Sequence, residues 1–268
     1  MKKLVLFLTL VLCSALSMAD NNKILYTTVN NEALPLYDGA TFGANVVSNT
    51  YENGQGVITF DGDVTKIGAS AFSEKSPEAL ATIILPKSVL YIDYSAFWGC
   101  ENLTSIDIPT SVFDIGNTAF KNCKKLSSIT IPEGVSSIYK ETFSGCEALA
   151  TVSLPSSIVE INEKAFDGCR RLTTVYCAAV NVPEVASNAF PLQISSNATL
   201  YVPEESLSAY KRNSEWSMFS RIQVFDPSGI HPIISEYNQS AIYDLSGKLL
   251  TSPQKGVNII NGKKVVME

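Results

Sequence analysis

The stretch TSIDIPTSVFDIGNTAFKNCKKL (104–126) is one of four consecutive 23-residue segments that repeat a single pattern. The others are ATIILPKSVLYIDYSAFWGCENL (81–103), SSITIPEGVSSIYKETFSGCEAL (127–149) and ATVSLPSSIVEINEKAFDGCRRL (150–172). A fixed period of this length indicates a solenoid, in which each repeat forms one coil stacked on the previous coil. Nine positions are nearly the same in all four segments, and all except a proline are apolar or small; in 104–126 they are Ile106, Ile108, Pro109, Val112, Ile115, Ala119, Phe120, Cys123 and Leu126.

The pattern also predicts the local structure of one coil. The Ile-x-Ile motif alternates as a strand with one buried face does, and the proline that follows ends the strand because it cannot donate to a ladder. The motif V-x-x-I predicts a second short extended piece. The motif A-F-x-x-C-x-x-L is too short for a free helix, so we expect a turn or one and a half helical turns. If successive coils stack about 4.8 Å apart, each buried residue contacts the identical residue of the next coil, and these contacts form three ladders. The ladders are Phe97, Phe120, Phe143 and Phe166; Cys100, Cys123, Cys146 and Cys169; and Leu103, Leu126, Leu149 and Leu172.

The flanks of the four segments are degraded copies of the repeat. Residues 57–72 keep its apolar positions but carry Asp61 in place of the proline, and residues 173–190 place Cys177 at a strand position. Atypical end repeats are expected where a stack needs a cap. We therefore predict a solenoid over 57–198, between a strand-rich N-terminal cap (20–56) and a C-terminal cap with short helices (199–225).

The repeat I-x-I-P-x-x-V-x-x-I-x-x-x-A-F-x-x-C-x-x-L resembles the BspA-type leucine-rich repeat, also called the Treponema pallidum type. The resemblance covers about residues 57–190. The family is known mainly from surface and secreted proteins of Bacteroidetes and spirochaetes, some of which bind host extracellular-matrix proteins or mediate adhesion. The resemblance implies a β-rich leucine-rich-repeat solenoid with one short parallel strand per coil and a protein-binding role. It identifies no ligand, because the matching residues are core residues.

The N-terminus MKKLVLFLTLVLCSALSMA (1–19) has the composition of a secretory signal peptide. It begins with Lys2 and Lys3, continues with an apolar run, and ends in small residues at Ala19. A membrane anchor is the alternative, but the run is short for a span of about 20 residues. We expect cleavage after Ala19, no membrane span in the mature chain, and a protein that is secreted or on the outer cell surface.

The charge of the mature chain is mildly acidic. Removing Lys2 and Lys3 with the leader lowers the basic count from 20 to 18 against 26 acidic residues, a net charge of −8. A nucleic-acid surface would show a basic stripe, so we expect no nucleic-acid partner.

The sequence predicts neither a metal site nor an active site. The mature chain has five cysteines, an odd number, and the regular position of four of them beside core Phe and Leu favours buried thiols over the alternative of a disulfide. The single histidine, His231, is far from that ladder, so we expect no zinc and no catalytic triad. No nucleophile-elbow, zinc-protease or phosphate-loop motif occurs. We therefore expect a protein that is not an enzyme and needs no cofactor.

Binding residues are sought among the variable positions of the coil. The outward strand positions form columns of mainly hydroxyl-bearing residues, from Thr82 to Thr174 and from Ile84 to Tyr176. Apolar residues also occur where the repeat does not require them, and such exposed clusters are typical of interaction sites. A protein ligand, such as an extracellular-matrix protein, would favour the apolar positions, and a carbohydrate would favour the hydroxyl columns. The candidate ligand-binding patch is Ile84, Leu90, Tyr91, Tyr94, Trp98 and Phe113.

The C-terminal region begins with a linker rich in Pro, Gly and Ser (226–240). The tail at 241–268 then predicts two hairpins with tight turns at Ser246-Gly247 and Asn261-Gly262. This small β module is similar to the C-terminal module of Bacteroidetes secreted proteins, which in some relatives is a sorting signal for type IX export. The alternative is a small β element that is not a sorting signal.

Overall fold

In the computed structural model the chain divides into two compact units, one ending at Val224 and the other beginning at Phe225. The structure describes residues 20–225 and, beyond them, only the backbone of four strands between 242 and 267. Four of the sequence-based predictions concern segments outside the described residues: the leader 1–19, the linker 226–240 with His231, and the turns Ser246-Gly247 and Asn261-Gly262.

The N-terminal cap is an antiparallel sheet made of β1 (Lys23–Thr28), β2 (Val46–Glu52) and β3 (Gln55–Phe60). Strand β1 lies between β3 and the first strand of the repeats. We expected the parallel stack to begin at residue 57, and this was wrong for the first strand. Ile58 and Phe60 are buried as the repeat requires, but β3 forms a hairpin with β2 and pairs antiparallel with β1.

Two rows of short parallel strands run along the repeats, because each coil contributes one strand from Ile-x-Ile and another from V-x-x-I. Neighbouring strands pair one period apart, as Thr82 with Ser105 and Thr151 with Thr174. The predicted β-rich leucine-rich-repeat solenoid is thus confirmed, but each coil contributes two strands where the resemblance implied one. The second strand row is β4 (Lys66–Ile67), β6 (Tyr91–Ile92), β8 (Asp114–Ile115), β10 (Ser137–Ile138), β12 (Glu160–Ile161) and β14 (Glu184–Val185). The first strand row is β5 (Leu80–Ile84), β7 (Ser105–Asp107), β9 (Ser128–Thr130), β11 (Thr151–Leu154), β13 (Thr174–Cys177), β15 (Thr199–Val202) and β16 (Arg221–Val224).

Strand hydrogen bonding is interrupted in both rows at the same coil boundary, between β7 and β9 and between β8 and β10. The coils remain joined there through their turns, since the Phe120 N–H donates to the Thr142 carbonyl at 2.9 Å. The hydrogen-bonded orders are β2-β3-β1-β5-β7 and β9-β11-β13-β15-β16 in the sheets of the first row, and β4-β6-β8 and β10-β12-β14 in those of the second.

The A-F-x-x-C-x-x-L motif forms turns, as predicted. Each coil reverses direction at a residue with positive φ two positions before its phenylalanine. These residues have φ between 53° and 56° in the four regular repeats, a left-handed conformation that costs non-glycine residues energy. The turn therefore carries a backbone cost that must be offset by packing of the side chains it directs inward. The four residues are Ser95, Thr118, Glu141 and Lys164.

The core consists of the predicted ladders. The phenylalanine rings from Phe72 to Phe190 stack almost parallel, with centroids 4.7–5.6 Å apart. Each ladder thiol donates to the carbonyl of the phenylalanine one coil earlier, as Cys146 Sγ does to Phe120 O at 3.1 Å. All five cysteines of residues 20–225 are free and buried, which confirms the prediction of buried thiols.

The C-terminal cap differs from the prediction because its strands continue the parallel stack. Strands β15 and β16 extend the first row beyond β13, so the ladder does not stop at residue 198. Trp216 is fully buried, and its ring lies 5.9 Å from that of Phe190, so these cap aromatics cover the last coil as expected. The described helices of the first unit are α1 (Leu192–Asn197), α2 (Leu207–Arg212) and the 3₁₀ helices Glu204–Ser206, Trp216–Met218 and, before the first regular repeat, Pro77–Ala79.

The second unit contains one antiparallel sheet of four strands in the order β18-β17-β19-β20. Strand β17 pairs with β18 and strand β19 with β20, the two pairings that the sequence predicts as hairpins. The strands are β17 (Ile242–Tyr243), β18 (Leu249–Leu250), β19 (Gly256–Ile260) and β20 (Lys263–Met267).

Candidate functional site

Two open concavities of about 760 Å³ each occur on the described part of the first unit, and neither has catalytic chemistry. In the first, Asp61 accepts hydrogen bonds of 2.8 Å from the backbone and side-chain amides of Asn45, which lower the pKa of its carboxyl. A general acid needs the opposite shift. In the second, burial raises the pKa of Cys169 to about 12, so its thiol is a poor nucleophile at neutral pH.

No group of three or more His, Cys, Asp or Glu side chains in the described residues could hold a metal ion. None of the described helices has both the length and the apolar character needed to cross a bilayer.

Five of the six predicted ligand-binding residues are exposed. Ile84, Tyr91, Tyr94, Trp98 and Phe113 have exposed fractions between 41% and 52%. Leu90 is half-buried. Exposed apolar side chains are typical of interaction sites where they form a contiguous patch, whereas single ones are common on any protein surface.

The structure brings Tyr91 and Phe113 together. Their rings form an edge-to-face pair with centroids 4.6 Å apart. The Phe113 N–H donates to the Leu90 carbonyl at 3.1 Å, so Leu90 supports the pair from the preceding coil. We call Leu90, Tyr91 and Phe113 the aromatic patch; it lies on the outer side of the second strand row.

The other three predicted residues lie elsewhere on the coil. Ile84 belongs to β5 in the first strand row and is separated from Tyr91 by the corner at Pro86. Tyr94 and Trp98 belong to the turn that follows β6, where the Trp98 N–H donates to the Ser95 carbonyl at 3.0 Å. The described ring contacts include Tyr91 with Phe113 but neither Tyr94 nor Trp98. The six residues therefore form one aromatic patch and three separate exposed positions.

Two polar side chains beside the aromatic patch, Asp114 and Tyr139, were not among the predicted ligand-binding residues. The Tyr139 hydroxyl bonds to the Asp114 carboxylate of the preceding coil, and burial first, then the charge of Asp114, raise the pKa of Tyr139. Asp114 also pairs with Tyr91 across β6 and β8. Alignment of the repeats places Asp114 one period after Tyr91, in the same outward column, and Tyr139 two periods after Asp93, in the adjacent outward column.

The outer side of the first strand row is mainly hydroxyl-bearing and nearly uncharged. Thr82 and Thr174 are half-buried, and Ser105 and Ser128 are exposed. At its C-terminal end Tyr176 stacks on Tyr201 with centroids 5.0 Å apart, which continues the column that begins at Ile84.

The comparison with protein families decides the classification of this solenoid. The model of the BspA type leucine rich repeat region matches residues 65–197 in six copies. The chain belongs to the BspA-type leucine-rich repeat proteins. Proteins of this class are generally non-catalytic scaffolds for protein interaction. The match begins at the last residue before β4, in accord with the antiparallel pairing of β3.

Similar solved structures are bacterial leucine-rich repeat proteins. One, from T. pallidum, is 31% identical with a TM-score of 0.48, over 54% of this chain and 65% of that chain. A leucine-rich cell surface protein of Faecalibacterium prausnitzii is 25% identical with a TM-score of 0.43, over 63% and 54%. A third, from Bacteroides ovatus, is 18% identical with a TM-score of 0.29, over 68% of each chain. This BspA-type chain thus spans less than two thirds of the first two proteins. The comparison with curated proteins found no match.

Proposed function

We propose that this BspA-type protein is an exported, non-catalytic solenoid that binds proteins at the cell surface or after secretion. In this adhesin-like role its partners are matrix proteins of a host or other cell-surface proteins. The observation that carries the proposal is the aromatic patch, an exposed pair of rings on a rigid strand row. Aromatic residues are enriched at the centres of protein interfaces because they bury a large area at low entropic cost.

The rigidity of the support favours this use of the patch. Tyr91 is the first residue of β6 and Phe113 immediately precedes β8, and the inward residues of these strands, Ile92 and Ile115, are fully buried. A contact surface that is already ordered loses little conformational freedom on binding, so more of the contact energy appears as affinity.

A carbohydrate ligand or an envelope scaffold without a host partner is the alternative function. It is favoured by the hydroxyl columns of the first strand row together with the stacked Tyr176–Tyr201 pair. A sugar would contact that face and not the aromatic patch.

A binding screen separates the two functions. Residues 20–268 are tested by surface plasmon resonance against extracellular-matrix proteins and, in parallel, against a glycan array. We expect at least one matrix protein to bind and a Tyr91→Ser/Phe113→Ser variant to lose at least about tenfold in affinity, the scale of one interface hot spot. Val159→Ser is the matched control, since Val159 is 62% exposed two coils further in the column of Phe113. Binding that is confined to glycans, or equal losses in both variants, would reject the proposal.

Export is part of the proposal and has its own test. The support is the basic start, apolar run and small-residue end of residues 1–19. N-terminal sequencing of the protein recovered from the outer surface or medium is expected to begin at Asp20. Deletion of residues 241–268 tests the sorting role proposed for the β module. If the module is a sorting signal, the truncated chain should be retained inside the cell envelope.

A further inference from the structure

The outer side of the second strand row carries negative charge beside the aromatic patch. Asp93 follows β6, Asp114 begins β8, Glu160 begins β12 and Glu184 begins β14. Asp93 and Glu184 are exposed, and Asp114 and Glu160 are half-buried. We call these four carboxylates the acidic column; with the aromatic patch they make up one continuous face of the second strand row.

This acidic column is not neutralised by the protein. Within residues 20–225 none of the four carboxylates forms an ion pair, whereas lysines of the adjoining turns pair with other acids, as Lys140 does with Glu163 at 3.1 Å. Lys66 in β4 is a cation on the same row, at its N-terminal end. The outer side of the first strand row carries few charges, so of the two strand rows only the second concentrates negative charge.

From the charge complementarity of this face we infer that the partner bound at the aromatic patch presents a basic, arginine-bearing polypeptide segment. The inference rests on the proposed protein-binding function and specifies the partner. A guanidinium can lie over the rings of Tyr91 and Phe113 while it donates hydrogen bonds to the Asp114 carboxylate, since aromatic faces and carboxylates both attract arginine. Opposite charges at an interface also steer the encounter and exclude acidic competitors.

The length of the face sets the length of the segment. Asp93 and Glu184 are four coils apart, which at about 4.8 Å per coil gives about 19 Å. An extended chain rises about 3.3 Å per residue, so about six residues cover the acidic column. Because side chains of an extended chain alternate between its two sides, basic residues at every second position would face the carboxylates.

The test uses a fluorescein-labelled octapeptide of alternating Arg and Gly, with alternating Glu and Gly as the opposite-charge probe. Binding to residues 20–268 is followed by fluorescence anisotropy in 50 mM and 500 mM salt, where the screening length is about 14 Å and about 4 Å. We expect the Arg peptide to bind and the Glu peptide not to bind. We expect an Asp114→Asn/Glu160→Gln variant to weaken Arg-peptide binding at least about fivefold, and a Lys-Gly peptide to bind more weakly than the Arg peptide.

The matched control removes the same charge at another place. Glu204→Gln/Glu205→Gln changes two exposed acids of the C-terminal cap and is expected to alter affinity less than twofold. Equal losses in the two double variants would show attraction to net charge alone and overturn the inference, as would the absence of Arg-peptide binding to the unchanged protein. Circular dichroism checks the fold of each variant, and Asp93→Asn provides a second exposed change if the first is destabilised.

The inference and the proposed function fail in different ways. A matrix protein whose binding is lost in Tyr91→Ser/Phe113→Ser but kept in Asp114→Asn/Glu160→Gln supports the function and overturns the basic partner. If a neutral glycan is bound at this face, both are overturned.

Discussion

The phenylalanine ladder is the feature whose removal we expect to cost the most stability. Phe120 is fully buried and stacks between Phe97 and Phe143, with centroids 5.2 and 5.5 Å away. Truncating a buried phenylalanine to alanine lowers the free energy of unfolding by about 3–5 kcal/mol. Of this cost, each lost aromatic pair accounts for about 0.5–1.5 kcal/mol. Phe120→Ala loses two pairs, so we expect a cost of about 4–5 kcal/mol. Phe120→Leu, which keeps most of the volume, should cost about 1.5 kcal/mol.

Urea unfolding measures this cost. With a slope of about 2 kcal/mol per molar urea, the midpoint of Phe120→Ala should fall by about 2 M. Far-ultraviolet circular dichroism and the fluorescence of Trp98 and Trp216 report on the repeats and on the C-terminal cap, so coincident curves test whether the stack unfolds as one unit. The control is Phe113→Ala, a change of the same chemistry at an exposed ring, for which we expect less than about 1 kcal/mol. Equal midpoints for Phe120→Ala and Phe113→Ala would refute the reasoning.

The remaining predictions concern the thiols and the turn glycines. None of the five cysteines of residues 20–225 should react with an aromatic disulfide reagent in native buffer, and all five should react in denaturant, as absorbance will show. Burial raises the pKa of Cys169 from 9.0 to about 12, so above pH 9 the unfolded chain loses a proton that the folded chain keeps. The free energy of unfolding should therefore fall as the pH rises from 9 to about 12, by up to about 1.4 kcal/mol per pH unit for this thiol, and less steeply in Cys169→Ala. Gly168→Ala should lower the free energy of unfolding by about 1–2 kcal/mol, because Gly168 has φ +74° and a Cβ there would lie 3.3 Å from the backbone of Gly145. Gly62→Ala, where the nearest atom would be 3.7 Å away, is its control and should change stability by less than about 0.5 kcal/mol in the same urea assay.

The stacking of the coils could be predicted from the sequence because its cause is periodic. A buried position recurring at a fixed interval has one simple solution, in which like residues meet one coil apart, and the Phe97–Phe120 contact is an example. The free thiols followed from the same logic, since Cys123 recurs beside Phe120 and Leu126 within the core.

The pairing of the N-terminal strands could not be predicted in the same way. The consecutive apolar residues Ile24, Leu25 and Tyr26 indicate a strand, but they do not specify which strand is its neighbour or in which direction it runs. The insertion of β1 between β3 and β5 depends on the long connection 29–45, which contains no repeat and therefore gives no register.

The candidate site was predictable in part. Alignment of the repeats identified Tyr91 and Phe113 as positions free of core constraints, and these two are in contact. It did not separate Ile84 from them, because the outward positions of both strand rows are equally variable in sequence. The direction each position faces is set by the corner at Pro86, which only the folded coil shows.

The uniform register of the strands has a consequence for how such a chain changes length. Tyr91 pairs with Asp114 and Ser137 with Glu160, and both pairs are 23 residues apart. The face by which a coil contacts the preceding coil is therefore equivalent to the face by which the next coil contacts it. Gain or loss of a whole period would join equivalent surfaces and lengthen or shorten the molecule without a new interface. Duplication of one 23-residue segment would thus lengthen both strand rows while the packing of the interior stays the same.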